Sequence, residues 1–175
     1  NPNALGSAYT TVAMIDSGMD YNHSELNSHV YWSGVGNQLG WDFFSWDDRP
    51  YDDHSHGTAL ASIIGGGGHK TIGVAPNIRL MALKVLSPFG ETSSAAVYGA
   101  FDYAVKGGAK IIVVGWRSDT DSKALRDGIE LAGSRGVLVL LPSKESDMLD
   151  SAQKSIAEYS NVIVVDGQGR SKNGK

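Results

Sequence analysis

Two short stretches carry side chains that could do acid–base chemistry together. The first is Tyr51-Asp52-Asp53-His54-Ser55-His56-Gly57-Thr58-Ala59-Leu60-Ala61-Ser62-Ile63-Ile64. A polar, Asp-rich loop runs into His-Gly-Thr and then into apolar residues at 60, 63 and 64, which is helical spacing. His56 therefore stands at a helix N-terminus, with Gly57 behind it where a backbone can approach closely. An imidazole placed there can act as a base only if one group orients it and another needs deprotonating. The second stretch, Thr10-Thr11-Val12-Ala13-Met14-Ile15-Asp16-Ser17-Gly18, offers the orienting group. It is an apolar β-type run that delivers one carboxylate at its end and then turns at a glycine. The C-terminal end of a buried strand is where α/β folds place functional groups.

The elements that must hold these two groups alternate along the chain. Apolar runs predict strands at residues 10–15, 41–44, 79–85, 110–115, 137–141 and 162–165. Between them, residues 91–105 carry apolar positions 96, 97, 100, 101, 104 and 105 and stop at Gly107-Gly108, as a helix does. Residues 121–134 read as another helix with Leu125, Ile129 and Ala132 inward. Strands alternating with helices predict an α/β fold, a three-layer, doubly wound parallel sheet. The 175 residues fit a single domain, and the net charge of −4 gives no basic field for a nucleic acid. There is no Cys, hence no disulfide or thiolate site, and no apolar run reaches the roughly 18 residues of a membrane span. Asp42, Asp47, Asp48, Asp52 and Asp53 read as a solvated acidic loop more readily than as a calcium site. Gly65 to Gly68 follow a helix instead of a strand, which argues against a nucleotide loop. His54 and His56 lack a convincing further metal ligand, His23 notwithstanding.

Asp16-Ser17-Gly18 and His56-Gly57-Thr58, in that order and 40 residues apart, resemble the Asp and His motifs of the subtilisin-like serine peptidases. The likeness continues through Gly73-Val74-Ala75-Pro76, Leu83-Lys84-Val85-Leu86 and Ile111-Ile112-Val113-Val114-Gly115-Trp116. It implies that Asp16 fixes the tautomer of His56 and that His56 serves as general base toward a serine. None of Ser143, Ser146, Ser151, Ser155 or Ser160 stands in a Gly-Thr-Ser-Met-Ala-like turn, so the resemblance places that serine outside the chain. On this reading residues 1–175 form one incomplete peptidase domain, truncated before the Ser-bearing helix and inactive alone. A second chain or C-terminal segment would then carry the serine and pack near residues 162–165 and the back of the His56 helix. The resemblance further implies a peptide or protein substrate and an extracytoplasmic or secreted protein.

Several positions depart from the family pattern. Pro142-Ser143-Lys144 stands where Ala-Gly-Asn is usual, so Lys144 replaces the amide that donates to the oxyanion. Gly115-Trp116-Arg117 replaces the Ser-apolar-Gly edge of the substrate cleft, and Arg117 crowds or recharges its pocket. Pro142 and Ser143 alter the opposite wall. Glu25 matches a calcium-binding carboxylate of the family, but His69-Lys70-Thr71 brings a cation where an Asn is usual, which argues against calcium. These changes leave open a second reading, a non-catalytic pseudopeptidase whose cleft holds a peptide or protein.

Overall fold

The structure, a computed structural model, describes residues 5–27, 39–68, 70, 72–116, 122–143 and 156–166. Among these residues six strands form one sheet: β1 (Thr11–Asp16), β2 (Gly40–Asp42), β3 (Arg79–Lys84), β4 (Ile111–Val114), β5 (Leu138–Pro142) and β6 (Val162–Val165). The helices are α1 (His56–Gly65), α2 (Ser94–Lys106) and α3 (Lys123–Ser134). Strand order is β2-β3-β1-β4-β5-β6 and every neighbouring pair is parallel. Parallel neighbours need crossovers over a sheet face, which is what the intervening helices supply.

The period of two along a strand sorts the core into two layers. Val12 and Met14 of β1, with Leu80 and Ala82 of β3, pack on the α1 side with Ala61. Ala13, Ile15, Met81 and Leu83 face the other way, toward Phe101 of α2 and Ile129 of α3. Residues 16 and 84 continue the parity of the first set, and Asp16 and Lys84 are register partners. The alternation therefore aims a carboxylate and an ammonium at the same side as α1.

Two sequence expectations are corrected here. The expected apolar stripe of α1 at 60, 63 and 64 holds only in part: Leu60 and Ile64 are half-buried and Ile64 packs against the core, but Ile63 is exposed, and the fully buried face is Gly57, Ala61 and Gly65. A methyl at Gly57 would overlap the Gly18 carbonyl oxygen, so α1 lies against the chain too closely for a larger side chain. The acidic loop is solvated only in part, with Asp48 and Asp53 exposed. Asp42 and Asp52 are buried. The Asp42 Oδ1 accepts the N–H groups of Phe44 and Ser45 at 2.7 and 2.8 Å, which turns the chain and ends β2 before residues 43 and 44.

Candidate active site

Asp16 ends β1, is 1% exposed, and accepts the Ser17 N–H at 2.6 Å. The His56 ring lies over it, with Nδ1 3.0 Å from both carboxylate oxygens. A carboxylate accepts and does not donate, so the proton belongs on Nδ1 and Nε2 is the nitrogen left for other work. The ring is half-exposed, at 51%, so a substrate or a second group can reach it. Gly115, after β4, leaves the space the carboxylate occupies: its N–H donates to the Ile15 carbonyl at 3.1 Å, and a methyl there would overlap Asp16 Oδ2. A buried carboxylate that fixes one imidazole nitrogen, with the ring edge open, is an arrangement able to present the other nitrogen as a base.

A family model described as the subtilase family matches residues 7–172. The chain belongs to the subtilase family. It is 29% identical over 157 residues to thermitase of Thermoactinomyces vulgaris, an alignment covering 88% of this chain and 53% of the relative. It is 29% identical over 171 residues to subtilisin DY of Bacillus licheniformis, covering 95% and 59%. The crystal structure of a lanthipeptide protease superposes with a TM-score of 0.73 at 24% identity, over 93% of this chain and 50% of that one. This subtilase chain thus spans between 50% and 59% of the length of these three proteins.

The other expected cleft residues are spread over two strand ends of the subtilase sheet. Trp116 follows β4 and borders a cavity of about 170 Å³ with Thr92, Ser93, Val97, Val114 and Leu125. Pro142 and Ser143 lie at the end of β5, and both are tied to the edge strand: the Ser143 N–H donates to the Val165 carbonyl at 2.8 Å and its hydroxyl to Asp166 Oδ1 at 2.5 Å. Arg117 and Lys144 lie outside the described residues.

Among the described residues the donors around Glu25 do not make a calcium site. Glu25 is buried, and its carboxylate accepts the Lys70 N–H at 3.1 and 3.4 Å, with Gly68 pressed against it. A backbone N–H thus takes up acceptor capacity of the Glu25 carboxylate that a cation would need. Among the described residues no three His, Cys, Asp or Glu side chains converge as metal ligands, and the His54 and His56 rings are 6.4 Å apart.

Three residues around the pair were not singled out from the sequence. Asp52 accepts from Ser17, His54, Ser55 and Thr58, and Ser17 in turn accepts from Gly57. Lys84, 2% exposed, donates to the Ser17 carbonyl at 2.8 Å and to Asp53 Oδ1 at 2.6 Å. For Lys84 a signal existed: it is a lone charge within the apolar run Leu80-Met81-Ala82-Leu83-Lys84-Val85-Leu86. Burying an ammonium is costly unless it is paired, so an unbroken strand with one lysine points to a built partner.

Proposed function

We propose that this chain is the Asp- and His-bearing part of a serine endopeptidase, with the nucleophilic serine supplied by residues other than these 175. The observation that carries the reading is the contact of His56 Nδ1 with both oxygens of buried Asp16. In this mechanism His56 Nε2 takes the proton of the serine hydroxyl as its oxygen bonds to the peptide carbonyl carbon. The same proton then passes to the leaving amine as the C–N bond breaks, while Asp16 stabilises the imidazolium. Alone, the chain has the base and its orienting group but no nucleophile in place, so it is silent toward peptides.

The sheet supports a missing covering segment, from the same chain or from a second one. Met14, Val113, Leu140 and Ile163 form one row in register across β1, β4, β5 and β6 on the α1 side. The row is buried at Met14, beneath α1, and 48% exposed at Ile163; Val165 on the same side is 50% exposed. Ile63, Ile72 and Val74, at the back of α1, are exposed as well. Covering a Val or Ile side chain fully stabilises by about 1.5–3 kcal/mol, so a surface of this kind favours a partner segment. Residues 1–175 then form one incomplete domain, truncated before the serine-bearing helix. Family likeness also supports an extracytoplasmic location, and among the described residues no helix is long and apolar enough to cross a membrane.

A second reading, a pseudopeptidase that binds a peptide or protein without cutting it, is favoured by the ties of Ser143 to Val165 and Asp166. They commit the wall beside the oxyanion position to the sheet edge. The two readings separate in the complete protein. If it is a peptidase, it turns over a peptide ester and Asp16→Asn lowers kcat about 10⁴-fold. Binding of the peptide with no turnover in the unmodified protein would leave the scaffold.

A further inference from the structure

We propose that Asp52 is the positioning residue of the Asp16–His56 pair, acting through Ser17 and the first turn of α1. The assignment rests on reading that pair as the acid–base couple of the preceding section. Asp52 is buried, at 8% exposure, and both of its oxygens are engaged. Its Oδ1 accepts the Ser17 hydroxyl at 2.8 Å and the His54 and Ser55 N–H groups at 3.0 Å each. Its Oδ2 accepts the Thr58 N–H at 2.8 Å and the Thr58 hydroxyl at 2.6 Å. The Ser17 oxygen that donates to Asp52 also accepts the Gly57 N–H at 3.0 Å. One carboxylate therefore binds the residue that follows Asp16 and, on either side of His56, Ser55, Gly57 by relay, and Thr58.

This arrangement replaces an ordinary helix cap. Ser55 sits at the N-cap position with φ 75°, a left-handed conformation unusual for a non-glycine residue, and makes no side-chain cap bond. Held there by Asp52, it turns the loop so that His56 opens the helix facing the end of β1. Lys84 fixes the same corner from below, joining the Ser17 carbonyl to Asp53. Burial pushes the Asp52 carboxyl up, but hydrogen bonds from Thr58, His54 and Ser17 outweigh it and hold it below its ordinary value. The imidazole must stay within a fraction of an ångström of its working place, since a displacement of about 1 Å can cost 100-fold in rate.

The test pairs NMR of the full chain carrying ¹⁵N-labelled histidine with turnover of the complete protein. Asp52→Asn is expected to shift the His56 Nδ1–H resonance or broaden it into solvent exchange, and to lower kcat about 10- to 100-fold with KM unchanged. Asn161→Ala is the stability control. It removes an amide that donates to the Ile129 and Val137 carbonyls, at the other end of the strands. This change is expected to lower the melting temperature while leaving the His56 resonance in place. The proposal is overturned if Asp52→Asn behaves like that control, with a lower melting temperature and an unchanged His56 resonance. Should Asp52→Asn fail to fold, Ser17→Ala removes a single hydroxyl from the relay, and an unaltered resonance there overturns the proposal too. Absence of turnover in the unmodified protein counts against the peptidase reading and leaves the NMR comparison intact.

Discussion

Helices α2 and α3 begin on a serine that caps its own chain, whereas α1 begins on a carboxylate four residues before its first turn. Ser93, in extended conformation, accepts the Ala96 N–H at 3.2 Å, and Ser122 accepts the Leu125 N–H at 3.4 Å. Ser55 has the same residue type and the same place, yet it adopts a left-handed turn and caps nothing. The difference lies in what each start must achieve. A local cap satisfies orphan N–H groups without tying the helix start to another element. The Asp52 cap takes the Thr58 N–H, takes that of Gly57 by way of Ser17, and grips Ser17 itself, so the start of α1 is fixed relative to the end of β1. Small residues complete the fix: α1 faces the sheet with Gly57, Ala61 and Gly65, while α2 faces it with Val97, Phe101 and three alanines.

The contrast can be broken by mutation, with the largest effect at the remote cap. Asp52→Ala strands the buried donors of Ser17, His54, Ser55 and Thr58 and is expected to destabilise by about 3 kcal/mol in chemical denaturation. Gly57→Ala comes next, at about 2 kcal/mol, because the methyl must push α1 away from Gly18. Its denaturation midpoint should fall while the Asp16–His56 contact is lost. Ser93→Ala, which removes only a local cap, is expected to cost about 1 kcal/mol. A loss at Ser93 equal to that at Asp52 would erase the distinction between the two kinds of helix start.

Acid sharpens the same comparison with a smaller effect. The Asp52 carboxyl is held below its ordinary value of 3.8 in the folded protein. Its contribution is therefore complete above the unfolded-state value and fades as pH falls through the folded one. Melting temperatures taken from pH 5 downward should drop below about pH 4, and Asp52→Asn should flatten that part of the profile. The serine caps of α2 and α3 carry no charge and contribute no such slope.

Much of this was legible in the sequence, for physical reasons that also mark where reading stops. The buried parallel strands announce themselves as apolar runs, and residues 162–165 matched their strand end to end. Ser93 and Ser122 lie next to the helices they cap, within reach of pattern reading. Asp16 and His56 were visible because each stands at the junction of an apolar element and a polar turn. The packed face of α1 was not visible, since glycine and alanine carry almost no hydrophobic signal and the conspicuous Ile63 points outward. Asp52 was hidden among five acidic residues, because what distinguishes it is a hydroxyl 35 positions away in the chain.

The central claim is that Asp16 dictates which nitrogen of His56 carries the proton. Long-range ¹H–¹⁵N spectra of the chain, recorded where His56 is neutral, read this directly. The expected result is a single Nδ1–H tautomer with Nε2 bare, converted to a mixture of tautomers by Asp16→Asn. A His56 already mixed or Nε2-protonated in the unmodified chain, and indifferent to Asp16→Asn, would contradict the account.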